Sequence, residues 1–228
     1  MERLEPQITI VVDLDDVLWQ LVDNWIYHYR MSSKLFSSLE EYTSHDKALN
    51  KSMVTSWDIE SCLNPKYPEL FWMTLDDEDF WQDITVLQAT KDALNKINSH
   101  KNIDLIICTD TYYKSATTKL TRFFELFPFI KPSQVICMKE KWRLNADIII
   151  DDKPETLERF MLQQNPPFAI IKISQPWNTT TICDYAWNEF NDGLARFCID
   201  AAEAYADTIR ELRQEQEDNE SYERCYYN

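Results

Sequence analysis

ITIVVDLDDVLW, residues 8–19, is the stretch on which the reading of the whole chain turns. Ile8 to Val12 is a short, uninterrupted apolar run rich in β-branched residues, and it stops abruptly at Asp13. Such a run suits a strand covered on both faces, as the strands of parallel sheets are. Similar runs recur at Ile103–Cys108, Gln134–Cys137, Asp147–Ile150 and Phe168–Ile173. Helical spacing lies between them. Ala116, Leu120, Phe123 and Phe127 share one face, and Pro154 suits a first helical turn ahead of Leu157, Phe160 and Met161. This alternation predicts an α/β fold with a mainly parallel sheet.

Residues 18–87 break the alternation. They carry apolar residues at helical spacing and five of the eight tryptophans, Trp19, Trp25, Trp57, Trp72 and Trp81. The expectation is a small, mostly helical cap inserted after the first strand, over the sheet's carboxyl end. Residues 1–17 and 88–228 then form the core. Near the C-terminus Leu194, Phe197, Cys198, Ala201, Tyr205, Ile209 and Leu212 fall on one helical face, and a polar, frayed stretch is expected from about Gln214.

Composition bounds the function. At 228 residues, 44% hydrophobic, the chain can bury a substantial core. Its 39 acidic against 23 basic residues give a net charge of −16, which repels a nucleic-acid polymer but not a small phosphorylated molecule held in a cleft. The six cysteines show no CxxC and no cluster with histidine, so a structural zinc site is not expected. No apolar run approaches the roughly 20 residues of a membrane span, and a cytoplasmic location with free thiols is the plain expectation. Gly193 is the only glycine, so tight turns must rely on Asn, Asp or Ser.

Asp13 and Asp15 follow the first strand directly, and in open α/β sheets ligands bind beyond the carboxyl ends of strands. In ADIIIDDKPETL, residues 146–157, a second apolar run ends in Asp151 and Asp152. Four carboxylates gathered in one cleft are costly without a cation, and magnesium, a hard oxygen-seeking ion, is the natural counter-ion. Between the pairs, IICTDTYYK (106–114) puts Thr109 at a strand end. Thr109 fits two roles equally, a phosphate ligand or a helix N-cap. Lys141, six residues before Asp147, fits either a charge for a transferring phosphoryl group or solvated surface.

Carboxylate pair, hydroxyl, lysine and second carboxylate pair, in that order, resemble the four motifs of the haloacid-dehalogenase superfamily. Within it the chain looks most similar to the 5′(3′)-deoxyribonucleotidases, bacterial and phage-encoded relatives included. TSWDIESCL (55–63), DEDFWQDI (77–84), the ADIIIDDKPETL block and SQPWN (174–178) carry the narrower likeness. The resemblance implies a Rossmann-like core and a magnesium-dependent phosphatase acting on nucleoside monophosphates. Asp13 would be its nucleophile, Asp15 its acid/base, and Thr109 and Lys141 its phosphate ligands. It further implies that Asp13, the Asp15 backbone carbonyl and Asp152 hold the metal while Asp151 orients its waters, with the last two residues free to exchange roles. Phe80 and Trp81 fall where the family packs its base, with Trp57 a further candidate. Asp110 stands beside the phosphate ligands where several relatives have serine. Asp16 stands where many have glycine. The partner implied is a small nucleotide, and a homodimer is left open. A sugar-phosphate phosphatase and a silent binding protein on the same fold are the other readings.

Overall fold

The computed structural model describes residues 7–36 and 44–226, with the side chains of 33–36 and 217–226 outside the description. Six strands form one sheet: β1 (Ile8–Val12), β2 (Ile103–Thr109), β3 (Val135–Cys137), β4 (Ile148–Asp151), β5 (Ala169–Ile173) and β6 (Tyr185–Trp187). Their order is β3-β2-β1-β4-β5-β6, and every neighbouring pair runs parallel. The earliest strand therefore lies in the middle, which is why its apolar run carries no alternation. Ile8, Ile10, Val11 and Val12 are all fully buried. Val12 stands opposite Ile107 of β2 and Ile150 of β4, so the residues that follow emerge side by side at one edge.

Between β1 and β2 the described residues hold six helices: α1 (Leu21–Phe36), α2 (Ser44–Ala48), α3 (Ile59–Leu63), α4 (Pro68–Met73), α5 (Glu78–Asp83) and α6 (Gln88–Asn98). Local chemistry sets their ends. Asp58 caps α3 by accepting from the Ser61 N–H, Asp77 caps α5 through the Asp79 N–H, and Pro68 opens α4. The shortage of glycine is met as expected. Asp16 and Asn64 adopt left-handed φ values of 53° and 44°, the latter at the C-cap of α3. Aromatic side chains supply the packing here. Trp25 and Phe71 stack with centroids 4.3 Å apart and planes 9° from parallel, while Tyr29 and Trp72 meet Phe71 edge-on.

The remaining helices are α7 (Ala116–Leu126), α8 (Pro154–Met161) and α9 (Asp192–Tyr226). Strand parity sorts the core. Val11, Ile149 and Ile170 point to the face covered by Leu157 and Phe160 of α8. Ile10, Val12, Ile148 and Ile150 point to the opposite face, into a larger cluster that takes in α1, α3 to α7 and α9.

Two features lie outside the expected pattern. Strand β6 was not foreseen, because YAW is a three-residue edge strand whose first two residues are exposed, too short for a periodic signal. Helix α9 runs on through the polar stretch from about Gln214 to Tyr226. Among the described side chains its buried face is Leu194, Ala195, Cys198, Ala202 and Ala206, and Tyr205 and Leu212 of the predicted stripe are exposed. No helix among the described residues is long and apolar enough to cross a membrane.

The Trp25–Phe71 stack gives a direct check on whether the α1–α4 packing behaves as core. Phe71→Ala should cost about 3–5 kcal/mol in urea denaturation. Leu162→Ala, at a site 80% exposed, should stay within about 0.5 kcal/mol of wild type.

Candidate active site

The carboxyl edge of the sheet is a crowded electrostatic site built from β1, β2 and β4. The Asp13 backbone N–H continues the sheet pairing by donating to Ile150 O at 2.9 Å, which sets Asp13 beside the end of β4. One oxygen of Asp13, Oδ1, accepts from the Leu14 N–H and from Lys141 Nζ, both at 2.7 Å. The same buried ammonium donates to Asp151 Oδ2 at 2.7 Å, and Asp151 Oδ1 accepts from the Lys153 N–H at 2.8 Å. Lys141, which could have been solvated surface, is thus a bridge between two carboxylates, and that pairing pushes its ammonium above the ordinary lysine value despite its burial.

Asp152 is held differently. Its Oδ2 accepts from the Trp177 indole N–H at 2.8 Å, and its backbone carbonyl accepts from the Asn178 side-chain amide at 2.8 Å. Its Oδ1 is buried and has no hydrogen-bond partner among the described residues. Such a group is costly to leave unmatched. Ligand atoms of Asp13, Asp151 and Asp152 all lie within 4.8 Å of one another, and all three residues are buried. Burial, the largest influence on both, pushes Asp13 up to about 7 against the pull of Lys141, and holds Asp152 well above the ordinary carboxylate range. Three carboxylates facing one lysine leave two negative charges over. A compact all-oxygen donor set with that surplus and an unmatched buried oxygen fits a hard divalent cation such as magnesium. The side chain of Asp15 is not part of the trio.

Asp15 has its own set of partners. Its Oδ1 accepts from the Trp19 indole N–H at 2.8 Å. Its Oδ2 accepts from Lys119 Nζ at 2.5 Å and lies 3.4 Å from the Thr109 hydroxyl. Lys119 also donates to Thr109 Oγ1 at 2.8 Å and to the Asp110 carbonyl at 2.9 Å. This lysine was missed in the sequence. The signal was there: Lys119 shares the buried side of α7 with Phe123, and a lysine there needs a partner in the interior. Thr109 does not cap a helix. It ends β2, fully buried, and its hydroxyl joins the Asp15–Lys119 pair.

Asp16 turns away from this group. Its Oδ1 pairs with Lys51 at 2.6 Å, its Oδ2 accepts from the Val22 N–H at 3.1 Å, and its carbonyl accepts from Gln175 Nε2 at 2.7 Å. Burial raises its carboxyl to about 6, with Lys51 opposing the rise.

Next to Asp15 and Lys119 opens a cavity of about 530 Å³. Trp25, Trp57, Trp72 and Trp81 line it, together with Asp110 and Tyr112. Trp81 and Trp57 are therefore wall residues, with the Trp81 indole N–H fixed by Leu75 O at 3.0 Å. Phe80 is not among the lining residues. It is fully buried behind the wall, edge-on to both Trp81 and His28.

Residues 7–196 match the family described as 5′ nucleotidase, deoxy (pyrimidine), cytosolic type C protein. A 5′(3′)-deoxyribonucleotidase of Clostridium acetobutylicum is 30% identical over 152 residues, 67% of this chain and 77% of that protein. One of Bacillus subtilis is 25% identical over 66% of this chain and 79% of its own length. Among solved structures, a haloacid dehalogenase-like family hydrolase from Xanthomonas campestris superposes with a TM-score of 0.51 at 13% identity, covering 90% of this chain and 99% of that one, a likeness of fold. The chain belongs to the cytosolic type C 5′-nucleotidase family, phosphatases built on the haloacid-dehalogenase core.

Proposed function

We propose that this protein is a magnesium-dependent phosphomonoesterase that hydrolyses deoxyribonucleoside monophosphates through an aspartyl-phosphate on Asp13. The observation that carries this reading is the buried trio Asp13, Asp151 and Asp152 with its surplus of two negative charges, one strand away from the Asp15–Lys119–Thr109 group. Names of the relatives, 5′(3′)-deoxyribonucleotidase, support the substrate class.

In this mechanism Asp13 attacks phosphorus in line, and the ester bond to the nucleoside oxygen breaks as the new carboxyl-phosphate bond forms. The Leu14 N–H and Lys141 hold the carboxylate in place for the attack. Asp15, entering the cycle in its protonated form, gives its proton to the departing nucleoside oxygen and regains one from the water that cleaves the aspartyl-phosphate. Lys119 and the Thr109 hydroxyl fix the Asp15 carboxylate and bring positive charge and a donor toward the phosphate oxygens. Asp13, Asp152 and the Asp15 backbone carbonyl would hold magnesium, and the ion would supply positive charge against the transferring phosphoryl group. Asp151, occupied by Lys141 and the Lys153 N–H, serves better as an orienting group than as a ligand. The tryptophan-lined cavity beside Asp15 offers flat apolar faces for a nucleobase and shields the reaction from water.

Phosphate release from a panel of 5′- and 3′-monophosphates, deoxy and ribo, tests the reading. Turnover should favour deoxyribonucleotides, stop with chelator, and fall by about 10³-fold or more in Asp13→Asn with the fold retained. Release from no nucleotide would sink the substrate assignment. Magnesium alone should raise the melting temperature, since a ligand at about 100 times its Kd adds roughly 2.7 kcal/mol to the native state. Lys119→Met strands the buried Asp15 carboxylate and should cost about 3–5 kcal/mol in urea titrations. The Asp15→Asn/Lys119→Met double variant should recover part of that loss.

A further inference from the structure

The segment SQPWN, residues 174–178, supports the family likeness but has no part in the mechanism above. It forms the loop leaving β5, and it fastens itself to the site at several points. The Trp177 indole N–H donates to Asp152 Oδ2, and the Asn178 amide donates to both Asp152 O and Ile173 O at 2.8 Å. Gln175 donates to the Asp16 carbonyl. Beneath the loop, the buried ammonium of Lys172 donates to the carbonyls of Asn178 and Thr181 at 3.0 and 2.9 Å. The Trp177 ring is 5% exposed and is itself held from the side of the helical segment. Trp57 meets it edge-on at 5.5 Å, and Lys51 Nζ lies 5.4 Å from a ring centroid.

We propose that Trp177 is the positioning residue of the carboxylate trio. It engages Asp152 Oδ2 and leaves Oδ1 as the oxygen presented to the cation. This rests on the cation reading above. An indole N–H is a donor only, so it orients a carboxylate without competing for the metal. Groups in this position fix the direction of a ligand and commonly account for about 10- to 100-fold in metal affinity. The arrangement explains why Asp152 Oδ1 is buried and unmatched among the described residues, whereas Asp151 has both of its oxygens engaged by protein donors. Lys51 and Trp57 on the ring fix the plane in which the N–H points.

Trp177→Phe keeps a ring in the pocket and removes only the donor. Magnesium titrated calorimetrically into substrate-free protein should bind about 10-fold more weakly to this variant than to wild type. Trp177→His, which restores a ring N–H, should recover part of the loss. In wild-type protein the Trp177 indole N–H resonance should shift on addition of magnesium chloride, a readout that stands even if the variants fold poorly. Equal affinity in wild type and Trp177→Phe, or an indole resonance that does not move, overturns the assignment and leaves Trp177 as packing. A wild-type protein that binds no magnesium overturns the cation reading itself, and this inference with it.

Discussion

Five aspartates meet at the carboxyl edge of this sheet, and the charge they bring is the constraint around which the neighbouring structure is arranged. Asp13, Asp15, Asp16, Asp151 and Asp152 are all buried or nearly so. Charges of one sign in a low-dielectric interior are tolerated only when each is paired or hydrogen-bonded. Three lysines arrive from three different parts of the chain: Lys141 to Asp13 and Asp151, Lys119 to Asp15, and Lys51 to Asp16. Backbone N–H groups of Leu14, Val22 and Lys153 and two indoles take most of the remaining oxygens. What is left over among the described residues, a formal surplus of two negative charges with Asp152 Oδ1 and Asp13 Oδ2 unmatched, is the part the protein does not neutralise by itself.

The pairing with Lys51 has structural reach because that lysine comes from the segment between α2 and α3. Asp16 adopts a left-handed φ, a conformation that favours glycine, and places its carboxylate in the interior. Lys51 answers that carboxylate, reaches Gln20, and lies over the Trp177 ring. One ammonium therefore joins the turn after β1, the loop after β5 and the helical segment between them.

How much of this could be read in the sequence depended on how locally each feature is encoded. The runs ITIVV and DIII announced β1 and β4 because strands buried on both faces carry no polar alternation, and the paired aspartates at their ends followed from that assignment. Parallel register then placed Asp13 beside Asp151, a proximity the sequence implied only through the α/β fold. Lys119 was harder, since its partner Asp15 lies 104 residues away and its meaning rests on which side of α7 faces inward. Phe80 and Trp81 are adjacent in sequence, yet successive residues on a helix point in different directions, so Trp81 reaches the cavity wall and Phe80 the core behind it. Strand β6 was illegible for want of length.

Helix α9 has a consequence in the language of hydrodynamics. Among the described side chains its packed face ends at Ala206, and those of residues 207–216 are exposed apart from half-buried Ile209. The helix nevertheless continues to Tyr226, and at about 1.5 Å per residue the part beyond Ala206 is roughly 30 Å long. A rod of that length adds friction out of proportion to its mass. A protein of 27.2 kDa carrying such a helix should diffuse and sediment more slowly than a sphere of the same mass.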